Sequence, residues 1–577
     1  MFMMKDIEHK NSFENMPPCA AEYIKLIIKK MKWKKKVRDD VQAELIAHFE
    51  DALRDCKTNE EKESKAKEII DNFGDAEMIA VLARRAKKRC RPMWQKIFIR
   101  CFQGIGIFVI SFIFYCIYIS SGKPTLRVNY TQEYINANRP TADSNANASI
   151  LYAKMAKAYV EPPKLSTDKE PEKNNCNSSY SNLSTRIQGI HSLNELNDEE
   201  FAALNKWIDD NNQTIALFVE ASKKPYRWNE QESNLKDSSF VALLLPNLSD
   251  IRNAARLSAA KAKLDAYQGN LDGACRDIFS IWNSAGHCLG PRTIVEQLLG
   301  VAIEVVSFRT TRDLLTEYNF SPQQLKLLQN NLEQLMAKKY YINYQTERFF
   351  KDDFIQRCFT DNGRGNGHAI PSETLQSLYE INDNIIKHKY LRHLMFVAIS
   401  VISVDRKDCS EFIDNFYDTA QQYAQITPWQ LRQENKSLEA LLNNWSRFKK
   451  ARYMNANMIL PAFDAVNLLS HRFNIDGQSL VLTLAVLRYQ QDHKVLPQTL
   501  QQLKDAGYIC NIPVDPFSGK EITYKLTKDG FTLYSWGLDM DDDGGKTGYR
   551  EKGNPYPWAD EGDAVFWPVV QNDKKSK

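Results

Sequence analysis

Several signals by which a chain declares chemistry are missing here. The 11 cysteines and 9 histidines form no CxxC pair and no Cys/His spacing suited to zinc, which removes a metal-thiolate centre. There is no GxSxG elbow, no P-loop and no GxGxxG opening a helix, and GRGNG at 363–367 has no apolar strand before it, so it reads as a turn. His388 and His393 stand five apart, which swings them around a helix rather than onto one face as in HExxH. Charge of one sign is also lacking: 76 Lys+Arg against 72 Asp+Glu give a net +4. Residues 1–100 hold 23 bases and 17 acids and the rest 53 and 55, so the basic excess is confined to the N-terminal part, mixed with acids, and no nucleic-acid footprint results. Long apolar runs are scarce as well, with one exception.

The exception is CFQGIGIFVISFIFYCIYISSG, Cys101 to Gly122, 22 residues without a charge. As a helix it would extend about 33 Å, enough to cross the hydrocarbon core of a bilayer. It lies too far from Met1 for a cleaved secretory signal. Arg84, Arg85, Lys87, Lys88, Arg89, Arg91, Lys96 and Arg100 precede it, and only Lys123 and Arg127 follow closely. The positive-inside rule then places the N-terminus in the cytoplasm and everything after Lys123 outside. LMFVAISVISV, Leu394 to Val404, is too short to span and is expected as a core helix or strand.

At 577 residues the chain exceeds one ordinary core. The reading is mainly α, in six parts: a disordered N-terminus at 1–19, a helical bundle at 20–96, a membrane helix at 97–121, a stalk and flexible loop at 122–192, a large exported helical domain at 193–476, and a small α+β domain at 477–577. In the bundle, Val41, Leu45, Phe49 and Leu53 recur at helical spacing, as do Ile69, Ile70 and Phe73, then Ile79, Leu82 and Ala83. Gly74 ends one helix and Asp75 caps the next. The stalk is read from the Asn, Ser, Pro and charge content of 127–149 and 161–186, with a helix-like stretch, ILYAKMAKAYV, between them. The exported domain follows from helical spacing in blocks such as IRNAARLSAAKAKLDAYQGNLDGACRDIFSIWNSA. Glu347, Asp352 and Asp353 in TERFFKDDF are expected as the solvated acidic face of a helix rather than as paired catalytic carboxylates. Cys176, Cys275, Cys288, Cys358, Cys409 and Cys510 follow the apolar segment; their even number permits disulfides, and scattered buried thiols are the alternative. From Gly477 the pattern changes to a helix ending near Pro497, a short second helix, and two strands joined across Lys528, Asp529 and Gly530.

Two resemblances carry the expectation further. Val41, Glu44, Leu45, His48 and Phe49, with Phe73, Gly74, Asp75, Ile79, Ala80 and Leu82, resemble the HAAS-type domain, a bacterial cytosolic helical module that precedes membrane segments. That resemblance implies contact with a cytosolic regulator and no chemistry, and His48 reads as a packed side chain. Tyr267, Gly269 and Ala274 resemble one tetratricopeptide hairpin, with no second copy at that period. In the C-terminal part, Leu487-Arg488-Tyr489, Asp492-His493, Leu496-Pro497, Pro513, Asp515-Pro516-Phe517, Gly519-Lys520, Tyr524, Tyr534-Ser535 and Gly537 resemble the C-terminal half of the type II secretion system major pseudopilin. That family implies a pilin fold with calcium in the last loop.

The corresponding loop holds Asp539, Asp541 and Asp543 followed by Gly544, alternate carboxylates whose oxygens can converge on a hard cation while the glycine turns the chain. The twelfth position is Arg550, with Glu551 one place late, so this is no EF-hand. The pseudopilin resemblance implies that Asp563 returns to complete a structural Ca2+ site, with Asp542 facing water. A solvated acidic turn is the alternative. Neither Gly104 nor Gly106 has a glutamate five places on, and roughly 350 residues separate anchor from module, so a borrowed module on a different anchor is expected rather than a pilus subunit. The sequence-level expectation is a non-enzymatic protein of the bacterial cytoplasmic membrane that meets envelope or secretion-type proteins. The alternative is a transmembrane regulator with an extracytoplasmic sensor.

Overall fold

The computed structural model describes residues 13, 15–89, 93–141, 144–165, 182–228, 240, 248–371, 389–460, 462–549 and 555–569. The chain is mainly helical and divides into two compact units, Met1–Tyr115 and Cys116–Lys577. The disorder expected of 1–19 concerns a stretch of which 1–12 and 14 lie outside the described residues.

The first unit contains α1 (Pro18–Lys30), α2 (Lys35–Ala52), α3 (Asn59–Phe73) and α4 (Ala76–Arg89). Helix α1 packs against the other three and buries Ile24 and Ile27 with Phe49, Leu53, Ala66 and Ala80. Local chemistry sets the boundaries. Thr58 and Glu61 form a reciprocal capping box at the start of α3. Gly74 ends α3 with φ +82, and its carbonyl accepts from the Tyr23 hydroxyl at 2.7 Å. Asp75 then caps α4 through the Met78 amide. His48 is exposed and stands edge-on to Phe73 at 5.3 Å. Helix α5 runs from Met93 to Ser121, and its stretch Ile97–Ser121 is long and apolar enough to cross a membrane.

In the second unit, Leu248–Tyr267 and Leu271–Gly286 form an antiparallel hairpin. Asn270 turns it by accepting from the Gly273 amide, and Gly273 has no room for a Cβ beside Asp265 and Asn270. Ile294–Glu317, Pro322–Met336 and the 31-residue helix Phe463–His493 complete this layer. A second layer of Glu347–Cys358, Lys389–Ile402 and Arg406–Tyr423 closes a core around Tyr344, Phe416, Tyr417 and Phe463. Each such aromatic, fully buried, contributes roughly 1.5–3 kcal/mol of apolar transfer. Leu394–Val404 is thus helical through Ile402, as a core element rather than a span.

Three expectations change. The change of character at Gly477 falls inside the Phe463–His493 helix, because Gly477 sits where a Cβ would come within 2.6 Å of Met336 Sδ. The glycine lets two helices approach and does not end one. Part of the expected stalk is folded onto the body: Tyr130–Ala137 and Ser149–Ala158 are helices that bury Tyr134, Ile135, Tyr152 and Met155, and Gln356 Nε2 donates to Val128 O at 2.8 Å. The polar composition hid the apolar residues of Tyr130–Ala137, whereas ILYAKMAKAYV carries the helical spacing of Ser149–Ala158 in the sequence; 166–181 lie outside the described residues. Even the end of α5 is packed, with Ile119 buried and a Cβ on Gly122 bound to meet Ile370, His368 and Thr360. The acidic face of the helix Glu347–Cys358 is only partly solvated: Asp352 stays half-exposed beside Lys351. Asp353 is buried, pairs with Arg357 at 2.8 Å and accepts from the Phe240 amide.

The C-terminal sheet is antiparallel in the order β1 (Thr523–Thr527), β2 (Gly530–Ser535), β3 (Ala564–Trp567). Phe531, Leu533 and Phe566 pack with Phe517, Leu500 and Leu503 onto Leu482, Val486 and Tyr489 of the long helix. The two sequence-read strands and the short helix Leu500–Asp505 are present. The third strand was not foreseen.

Candidate metal centre

The candidate loop connects β2 to β3, and its ends are pinned by close backbone approach. Gly537 has φ +72, and a Cβ there would lie 2.4 Å from Gly562 O. Gly548 passes so near Glu561 O that no side chain fits. Below the loop, Asp515 is buried and fully answered: it accepts from Ser535 Oγ at 2.6 Å and from the amides of Phe517 and Trp536 at 3.0 and 3.1 Å. Asp515 therefore pins the loop before β1 to the end of β2.

The four proposed ligands differ in situation. Asp539 accepts from the Gly562 amide at 2.6 Å, which ties the first acidic position to the last turn of the loop. Asp541 is exposed and accepts from the Asp542 amide at 2.9 Å. Asp543 is exposed and acts electrostatically on Asp563. Asp563 is completely buried; its Oδ2 accepts from the Gly545 amide at 2.6 Å, and its Oδ1 has no partner. Burial pushes its carboxyl up to about 6, reinforced by Asp542 and Asp543 and opposed by backbone amides. Thr547, joined to Asp563 by a parallel bridge, has a second buried oxygen without a partner.

Asp542 is exposed, and it also accepts from the Tyr534 hydroxyl at 2.7 Å and the Gly544 amide at 3.0 Å. Among the described residues, no three His, Cys, Asp or Glu side chains converge as metal ligands. Backbone amides occupy part of the carboxylate oxygens. The donor chemistry nevertheless fits a hard cation: acid oxygens on both ends of a glycine-punctuated loop, with one buried carboxylate oxygen unsatisfied.

Comparison of the chain with family models, with curated proteins and with solved structures finds no match in any of the three.

A second polar assembly was not legible in the sequence. Glu296 is buried, ion-paired to Arg227 and hydrogen-bonded to the Tyr134 hydroxyl at 2.6 Å and to Thr293 Oγ1 at 3.0 Å. Glu347, whose carboxyl burial raises to about 7, accepts from the Ile294 amide at 2.6 Å. Cys288 is fully buried here, and burial pushes its thiol up rather than activating it. His287 is held between the Tyr152 hydroxyl and Lys224 O, each at 2.8 Å, with its pKa lowered to about 4 by burial. Tyr134 and Glu296, the widest hydrogen-bonded pair, lie 162 residues apart, so no local motif signals the assembly. Their arrangement suits a clamp on Tyr130–Ala137. Of the cysteines described after the apolar segment, Cys275, Cys288 and Cys409 are buried free thiols, Cys510 is an exposed one, and Cys358 is buried. Cys176 and His388 lie outside the described residues.

Proposed function

We propose that this chain is a single-pass protein of a bacterial cytoplasmic membrane with no catalytic role, its helical body outside the cytoplasm. It ends in a pseudopilin-like module whose loop is closed by structural Ca2+, and its partners are envelope or secretion-type proteins. The observation that carries the reading is the surface of α5. Phe108 is 70% exposed, Ile107 67% and Phe114 68%, and a helix apolar on every side needs an apolar solvent. The bases before it and their scarcity after it give the direction. Asp563, Asp539, Asp541 and Asp543 would hold the cation, which would neutralise the buried carboxylate and fix the β2–β3 loop.

Calcium titration calorimetry of the full chain in lipid nanodiscs tests the metal part. Binding heat that disappears in Asp541→Ala Asp543→Ala supports it; no heat, or heat unaffected by that variant, removes it.

One observation favours a second reading, in which the chain is a transmembrane regulator with a cytosolic helical adaptor. Met78, Val81 and Leu82 on α4 are exposed, an apolar stripe suited to another helix. Cross-linking from position 82 in cells discriminates: products with a transcription component support the regulator, and products with envelope proteins alone sink it.

A further inference from the structure

A cavity of about 540 Å³ lies between the helix Ile294–Glu317, the helix Phe463–His493 and the segment 555–569. Small-molecule sites fall in the range of roughly 300–1,000 Å³. Much of its wall is apolar, with Val301, Val305, Leu469, Phe473, Trp558 and Phe566 facing the space. Its charged residues do not cancel. Asp313 is answered by Lys263 at 2.8 Å and His191 at 2.7 Å. Asp476 is answered by Arg312 at 2.7 Å. Arg309 and Arg472 remain, and neither has an ion-pair partner among the described residues. Asp560 acts on Arg472 only at longer range.

The two inner guanidiniums are positioned by aromatic rings. Arg472 stands 5.4 Å from the Trp558 ring centre, and Arg312 stands 5.4 Å from that of Phe566. Arg312 is 8% exposed, and its Nε, like that of Arg472, is buried without a partner. A buried donor left unanswered is costly, so an anion reaching these groups would recover part of that penalty. The apolar walls require that the anion carry an apolar body.

We propose that this cavity binds a small amphipathic anion, a medium-length apolar chain ending in one carboxylate. The chain would lie against Val305, Phe473 and Phe566, and the carboxylate would sit on Arg472 with Arg309 beside it. A planar guanidinium can take a carboxylate with two parallel hydrogen bonds, which a neutral alcohol of the same length cannot reproduce. The inference depends neither on the membrane reading nor on calcium.

Octanoate and 1-octanol are the probes, measured by saturation-transfer NMR against the full chain in nanodiscs, with empty nanodiscs as the blank. Octanoate is expected to bind at least tenfold more tightly than 1-octanol. Arg472→Gln should remove that preference while leaving 1-octanol within twofold, Arg472→Lys should restore part of it, and Ala302→Trp should fill the space and abolish both signals. The proposal is overturned by equal binding of acid and alcohol, by octanoate binding that survives Arg472→Gln or Ala302→Trp, or by no signal above empty nanodiscs. It is also overturned if octanoate binds only after residues 570–577 are deleted, because the occupant is then the chain's own end.

Discussion

Asp563→Asn should invert the order of stability between calcium-free and calcium-loaded protein. The carboxyl of Asp563 is raised from 3.8 to about 6 by burial, so the folded loop holds that proton more tightly than the unfolded loop. The sign follows: this group's contribution is intact below about pH 4 and is lost as pH rises through 6. At 1.36 kcal/mol per pKa unit the loss approaches ~3 kcal/mol by pH 7.5. An asparagine keeps an acceptor for the Gly545 amide and removes the charge, but leaves its own N–H unanswered at a cost of about 1–3 kcal/mol. The net expectation without calcium is a gain on the order of 1 kcal/mol for the variant. With calcium the wild-type charge is neutralised by the ion, and the variant has lost a ligand. Hydrogen-exchange mass spectrometry of peptides covering residues 536–563 reads this locally. In EDTA at pH 7.5 the variant loop should exchange more slowly than wild type, the difference should vanish at pH 5, and calcium should protect wild type alone. Equal protection of both proteins by calcium, or a variant that exchanges faster in EDTA, refutes the reasoning.

Three further perturbations follow from the packing. Gly122→Ala pushes a methyl group into Ile370 and Thr360 and should cost about 1–3 kcal/mol, seen as faster exchange and proteolysis in 359–370 with little change in 20–89. Arg227→Met strands the buried Glu296 carboxylate and should cost about 3–5 kcal/mol; limited proteolysis should then open near Tyr130–Ala137, and an unchanged cleavage pattern would show that the clamp is idle. Glu304 is completely buried, and burial raises its carboxyl well above the usual range. Wild-type stability should therefore fall as pH rises from 5 to 9 while Glu304→Gln flattens that dependence, and parallel pH profiles would contradict it.

Helices were the most legible part of this chain because their signals are local. Thr293 with Glu296, and Ser321 with Gln324 around a Pro322 at the first helical position, write capping boxes into the sequence, and each begins a helix. Gly477 reads in sequence as the start of the last module, whereas the helix runs on through it from Phe463 and the missing Cβ admits Met336. Glu347 and Asp353 misled for a related reason: their partners, Ile294 and Phe240, lie 53 and 113 residues away. β3 has only four residues and follows a long loop, so its period-2 signal was too brief to read. In the loop itself, the chemistry of Asp539, Asp541, Asp543 and Asp563 was visible as composition, whereas the burial that isolates the Asp563 Oδ1 depends on Gly545, Lys546 and the sheet beneath.

The central claim is an anchor at 97–121 with a cytoplasmic N-terminus, and protease added to intact, outer-permeabilised cells tests it directly. The account predicts that sites after Lys123 are cut while a fragment carrying the 20–89 bundle and α5 survives until the inner membrane is lysed. Survival of the C-terminal body with loss of the N-terminal bundle, or release of the whole chain by alkaline carbonate, would contradict it.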